Sequence, residues 1–170
     1  LSVSVTTRAP RPGEEEGVHY FFRTREAFEQ LIAENRLLEY AEYNGNYYGT
    51  PEDAIKGWLN EGKNVLLEIE VQGAEQVLNH RSDCVSIFIT IPSIAELERR
   101  LRERGTETEE KICGRMAVAR RELGRAFRYD YVVLNDEVSE AVKRIHTIID
   151  AEKMRYCRME NMIQEVLDEC

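Results

Sequence analysis

At 170 residues, with 42% hydrophobic and 32% charged side chains, the chain can bury one substantial core, or a core carrying small inserted subdomains, and is too apolar to stay disordered. Its 32 acidic against 23 basic residues leave a net charge of -9, which argues against broad binding to nucleic acid or anionic membranes but leaves room for a local basic pocket. No apolar run approaches the roughly 20 residues of a membrane helix, no leader pattern opens the sequence, and Cys84, Cys113, Cys157 and Cys170 make no metal-type spacing with His19, His80 or His146, so a soluble, cytoplasmic protein with reduced thiols and no zinc is expected.

The first stretch, 2–62, reads as a small α+β unit. Residues 2–5 and 18–22 have strand character, and the proline- and glycine-bearing link 9–17 between them must be loop. Thr24 can cap a helix reaching about Asn35, with Phe28, Leu31 and Ile32 on one face. Residues 37–43 alternate weakly, and Asn44-Gly45 is a two-residue turn signal, so a hairpin is predicted. Thr50-Pro51 followed by Glu52 and Asp53 reads as a helix start, with a hydroxyl cap, proline at the first helical position and acids near the positive end; Gly62 ends that helix.

The second stretch reads as the parallel sheet of an α/β domain. Residues 65–69 and 84–91 are apolar enough to be strands covered on both faces, each followed by a helical pattern at 72–79 and 93–104. Residues 131–134 supply another short strand. A single long closing helix is predicted from Val138 to about Glu169, with Val142, Ile145, Ile148 and Ile149 toward the core. Between these, 99–128 holds nine arginines and Lys111. Such a segment is either a solvated helical face or a mobile lid that carries cations to a phosphate.

The loop Thr6-Thr7-Arg8-Ala9-Pro10-Arg11-Pro12-Gly13 sets two guanidinium groups three residues apart on a chain stiffened by two prolines. A stiff loop presents arginines to a phosphate with little entropy to lose, although a surface loop that is merely basic would look the same. The phenols of Tyr20 and Tyr48 are either further donors to such an anion or packing residues of strands.

That loop, the segment Leu38-Glu39-Tyr40-Ala41-Glu42-Tyr43-Asn44-Gly45-Asn46-Tyr47-Tyr48-Gly49-Thr50, the run Leu67-Glu68-Ile69-Glu70-Val71-Gln72-Gly73 and the run Arg104-Gly105-Thr106-Glu107-Thr108-Glu109-Glu110 together resemble guanylate kinases, over residues 1 to at least 136. The resemblance implies an α/β fold: a P-loop NTPase-like parallel sheet flanked by helices, with an inserted α+β GMP-binding subdomain at 1–64, a core domain at 65–97 and 126–170, and a helical lid at 98–125. It implies transfer of the γ-phosphoryl group of ATP to GMP with Mg2+, small-molecule substrates only, and no nucleic acid or membrane partner.

Residue by residue, the same resemblance implies that Arg8, Arg11, Tyr20 and Tyr48 hold the GMP phosphate with Ser4 nearby, and that Glu39, Thr50 and Glu70 read the guanine. Arg100, Arg104 and Arg115 would approach the ATP phosphates, with Arg8, Arg104 and Arg115 serving the transfer itself. Asn135 would meet the adenine side, and Glu68 would hold magnesium through water. The family more often has aspartate at positions 68 and 70, one methylene shorter. Physical chemistry agrees with the base assignment: guanine offers N1–H and a 2-amino group side by side to a carboxylate, whereas adenine has an acceptor at N1 and would leave a buried Glu39 unpaired, at about 1–3 kcal/mol for each lost bond.

A glycine-rich phosphate loop ending in Lys-Ser or Lys-Thr occurs nowhere in the sequence. The expectation is therefore that residues precede Leu1 or that the chain is a fragment, which as it stands would keep a GMP pocket but transfer phosphoryl groups poorly. The competing reading is a catalytically inactive guanylate-kinase-like module that binds partner peptides. A kinase for another nucleoside monophosphate fits Glu39 and Thr50 badly.

Overall fold

Residues 1–103, 105 and 108–169 are described by the computed structural model, and Arg104, assigned above to the ATP phosphates, lies outside them. The chain divides into two units, Leu1–Cys84 and Val85–Cys170.

In the first unit Asn44 and Gly45 take φ values of 50° and 77°. Two consecutive left-handed residues are what a tight hairpin turn matching the strand twist requires. The turn joins β3 (Leu37–Tyr43) to β4 (Asn46–Pro51) as predicted. β1 (Ser4–Thr6) pairs antiparallel with β4 and parallel with β2 (Tyr20–Phe22), giving the order β2-β1-β4-β3. β2 begins later than its apolar sequence suggests, because Val18 and His19 donate their amides to the Glu15 carbonyl in a turn.

Helix α1 (Arg25–Ala33) starts where expected, with the Thr24 hydroxyl accepting from the Ala27 N–H at 3.2 Å. It lays Phe28, fully buried, against one face of the sheet, where its ring stacks on Tyr47 at a 5.1 Å centroid distance. Gly49 opens the space for this: a β-carbon there would stand 3.0 Å from the Phe28 ring and 3.1 Å from Leu37.

The weak alternation of residues 37–43 has a structural cause. Leu37 is registered with Pro51 and Glu39 with Thr50, so two residues on β3 are passed for one on β4. This bulge at Leu38 breaks the period of two. Leu37 therefore packs on the α1 side beside Gly49, while Glu39, two residues on, joins the opposite face with Thr50. Registers Ser4 with Tyr20, Thr6 with Tyr48 and Glu39 with Thr50 place Tyr20, Ser4, Tyr48, Thr50 and Glu39 on that one face.

Two expectations fail in this unit. Thr50 does not cap α2 (Glu52–Asn60); Pro51 is the cap residue and makes no side-chain bond, because the Thr50 hydroxyl is drawn to Glu39. Residues 65–69 form no strand. Among the described residues their one hydrogen bond to another segment is from the Ser2 N–H to the Leu66 carbonyl at 3.0 Å, Leu66 is 54% exposed and Glu68 is exposed. Apolar composition favours a strand only where a neighbouring ladder satisfies its backbone, and no such ladder runs along this segment. The chain then enters α3 (Val71–His80).

In the second unit β5 (Ile87–Thr90) and β6 (Tyr131–Leu134) pair in parallel over four residues. Cover is partial on both faces of this pair: Ile89 and Val132 are 54% and 57% exposed, against the full cover expected, while their lateral neighbours Val133 and Phe88 are buried. Between the strands, α4 (Ile94–Glu103) and α5 (Glu109–Leu123) close on Leu101, Ile112 and Met116, with Ile94 and Leu97 packed against them.

The predicted single closing helix is two, α6 (Val138–Lys153) and α7 (Tyr156–Asp168). Arg155 is extended at φ -62° and ψ 138°, with no proline or glycine beside it. The break lets the buried Glu152 carboxylate accept from Tyr131 Oη at 2.7 Å and from Arg155 and Arg158 at 3.4–3.5 Å. Val142 is 46% exposed; Ala141 fills the buried position instead.

Candidate active site

The polar face of the first sheet carries two clusters. In one, Glu39 on β3 is 4% exposed and Thr50 on β4 fully buried, and the Thr50 hydroxyl donates to Glu39 Oε1 at 2.6 Å. Glu70 stands at the start of α3, where its Oε1 accepts from the Gly73 N–H at 3.2 Å and Oε2 from the Gln72 side chain at 3.3 Å. A carboxylate is the natural partner of a helix N-terminus. Burial pushes the Glu39 carboxyl above its ordinary 4.5; the Thr50 bond opposes this and the nearby Glu70 charge adds to it. Burial likewise raises Glu70, against the bonds it receives from Gly73 and Gln72.

Helix α3 is bound to the free edge of β3 by one side chain. Gln76 donates to the Tyr40 carbonyl at 2.6 Å and accepts from the Tyr40 N–H at 3.2 Å, completing both backbone bonds of that residue as a neighbouring strand would. The Glu39 carboxylate is thereby held beside the first turn of α3.

The second cluster is cationic and aromatic. Arg8 follows β1, with its guanidinium 5.3 Å from the Tyr20 ring centroid, and the Tyr20 and Tyr48 rings meet edge to face at 6.1 Å. Glu14 grips Arg8 end-on, accepting from Nη1 at 3.0 Å and Nη2 at 2.8 Å. It also accepts from the Arg11 N–H at 2.7 Å. These bonds hold the Glu14 carboxyl down at about 2. Nη1 further donates to the Ala9 carbonyl at 2.7 Å. A guanidinium has five N–H donors, and the bonds to Glu14 and Ala9 take three of them; the Arg8 side chain also hydrogen-bonds Tyr48, so its remaining donors lie beside that phenol. The Arg11 side chain is exposed on the same loop, and Ser4 is half-buried on β1 beside Tyr20.

In the second unit, Arg100 on α4 donates from Nε to Glu96 at 2.7 Å and from Nη1 and Nη2 to the carbonyls of Asn135 and Asp136, both at 3.0 Å. Glu96, shared by Arg99 and Arg100, is lowered to about 2. Asn135 follows β6, with its N–H on the Thr90 carbonyl at 2.7 Å and its side-chain oxygen buried without a hydrogen-bond partner. Arg115 lies half-buried on α5, and Glu68 is exposed in the segment before α3.

The family model for guanylate kinase matches residues 1–152. The chain belongs to the guanylate kinase family. The guanylate kinase of Shouchella clausii is 52% identical over 164 residues, covering 96% of this chain and 78% of that protein. The Bacillus subtilis guanylate kinase is 50% identical over 167 residues, covering 98% and 82%. The crystal structure of guanylate kinase from Anaplasma phagocytophilum superposes with a TM-score of 0.80 at 40% identity, over 92% of this chain and 77% of that one. The expected α/β fold is the one this family has, and its enzymes outweigh the reading as a peptide-binding module.

Of the residues expected to bind GMP, the structure gathers Glu39, Thr50 and Glu70 in one cluster and Arg8, Tyr20 and Tyr48 in another, with Ser4 and Arg11 adjoining the second. Sequence reasoning missed Glu14, Gly73 and Gln76. The spacing of Arg8 and Glu14 on a proline-stiffened loop was a usable signal for their pairing; nothing in the sequence marks Gln76.

Proposed function

We propose that the Glu39–Thr50–Glu70 cluster reads guanine while Arg8, Arg11, Tyr20 and Tyr48 take the 5′ phosphate beside Ser4, as befits a guanylate kinase, which transfers the γ-phosphoryl group of ATP to GMP to give ADP and GDP. The observation that carries the reading is the buried Thr50–Glu39 hydrogen bond, set in acidic surroundings. A buried carboxylate is costly unless something donates to it. Guanine supplies two donors side by side. Thr50 has one proton, engaged with Glu39; once N1–H arrives at the carboxylate, that hydroxyl is released to donate to O6.

At the other end of the nucleotide, Arg8 would use its remaining N–H donors, beside the Tyr48 hydroxyl, to take the phosphate without giving up Glu14. The phenols of Tyr20 and Tyr48 add neutral donors, so the phosphate is gripped by direction as well as by charge. During transfer Arg8 would hold the acceptor in line, and Arg104 and Arg115 of the lid at 98–125 would neutralise charge spreading over the moving group; alignment and neutralisation are most of what phosphoryl transfer needs. Asn135 would meet the adenine through its unpartnered oxygen, and Arg100, bound to the carbonyls around it, would serve the same ATP side.

Mg2+ would neutralise the ATP phosphates. Magnesium in such an enzyme is held mainly by phosphates and waters, and Glu68 would stand in its outer shell. We assign 1–64 to binding GMP and 65–97 with 126–170 to the core. We place the protein in the cytoplasm on the strength of its likeness to bacterial guanylate kinases. Separately, no helix among the described residues is long and apolar enough to cross a membrane.

In the native protein, ADP release coupled to a reporter reaction should be much faster with GMP than with AMP as acceptor. Equal rates would contradict the base assignment.

A further inference from the structure

Gly73 is the third residue of α3, and its backbone is not left-handed. Conformational freedom therefore does not explain a glycine there, and alanine would be the better helix former. Space does explain it. A β-carbon at Gly73 would collide with Glu39 Oε2 and stand 3.0 Å from Glu39 Cδ. The other glycines within helices, Gly57 in α2 and Gly114 in α5, would bring a β-carbon against nothing within 4 Å. The same residue donates its N–H to Glu70, so one glycine holds one carboxylate by its amide and makes room for the other by having no side chain.

The gap cannot simply widen. Gln76, one turn further along the same helix, is bonded to both backbone groups of Tyr40, the residue next to Glu39. What an added β-carbon would displace is the far end of a flexible side chain. The helix would still form, and the loss would fall on where the carboxylate sits.

We propose that Gly73 is a positioning residue for base selection: its missing β-carbon seats the Glu39 carboxylate where N1–H and the 2-amino group are met together, and so sets the preference for guanine over a purine lacking that amino group. The inference rests on the reading of Glu39 given above.

Calorimetric titration of the chain and its variants with GMP and with IMP, at neutral pH, tests it. Gly73→Ala should weaken GMP by about tenfold or more, the equivalent of one lost hydrogen bond, and IMP much less, so that the ratio of the two affinities falls toward one. Glu39→Asp alone should also weaken GMP. In the Gly73→Ala background the shorter carboxylate should instead recover part of the affinity and of the ratio, a compensation that general destabilisation would not produce. Gly57→Ala should change neither. A wild-type ratio in Gly73→Ala, or losses that simply add in the double variant, would overturn the role of Gly73 while leaving that of Glu39 intact. A wild-type chain that binds GMP and IMP equally would overturn both.

Discussion

Replacing Glu39 by glutamine keeps the shape of the side chain and an oxygen that can accept from Thr50, but exchanges one acceptor for a donor. Against guanine, one of two charge-assisted bonds disappears and an N–H group opposes another N–H group. A hydrogen bond to a charged group contributes about 1.5–3 kcal/mol, so the dissociation constant of GMP should rise roughly ten- to hundredfold. Folding should not suffer. Glu39 is 4% exposed, and its carboxyl is raised chiefly by burial, so the neutral amide removes a desolvation cost. The assay is calorimetric titration with GMP, paired with urea unfolding of the unliganded variant. The wild type should also lose GMP affinity as pH falls through the raised Glu39 value, and the glutamine variant should not. Unchanged affinity in the variant would remove Glu39 from the site; a large drop in unfolding midpoint would show that the carboxylate serves the fold instead.

Acid should separate the two clusters. Glu39 is raised above 4.5 in the folded chain, so its burial cost is absent below the unfolded value and returns as pH rises through the folded one; Glu14, lowered to about 2, contributes stability above 4.5 that is lost as pH falls toward 2. NMR titration of the two side-chain carboxyls should therefore show Glu39 protonating first. Phe28→Ala, at a fully buried ring stacked on Tyr47, should cost about 3–5 kcal/mol in urea unfolding, with the slope unchanged. Gly45→Ala forces a β-carbon onto φ 77° and should cost about 1–2 kcal/mol in the same experiment.

Much of the first unit was legible because its signals are local. The left-handed pair at Asn44-Gly45 and the Thr24 cap each depend on a few consecutive residues. What escaped depends on partners far along the chain. Thr50 looks like a helix cap until Glu39, eleven residues earlier, is known to lie beside it. The bulge at Leu38 is visible only as poor alternation, and the strand expected at 65–69 fails for want of a ladder, which its composition cannot report. The break at Met154–Arg155 is set by a carboxylate that gathers Tyr131 from another element. In the site, the charged and hydroxyl groups other than Glu14 stood out in sequence by chemistry; Gly73 and Gln76, which hold them in place, carry no charge to draw notice.

The central claim is that the face bearing Glu39, Thr50, Glu70 and Arg8 selects one purine nucleotide, and its most direct test is the affinity of the chain for GMP against AMP in a single calorimetric titration series. The account predicts that GMP binds at least about a hundredfold more tightly, the equivalent of two base-edge hydrogen bonds satisfied instead of left unpaired. Comparable affinities for the two nucleotides would contradict it.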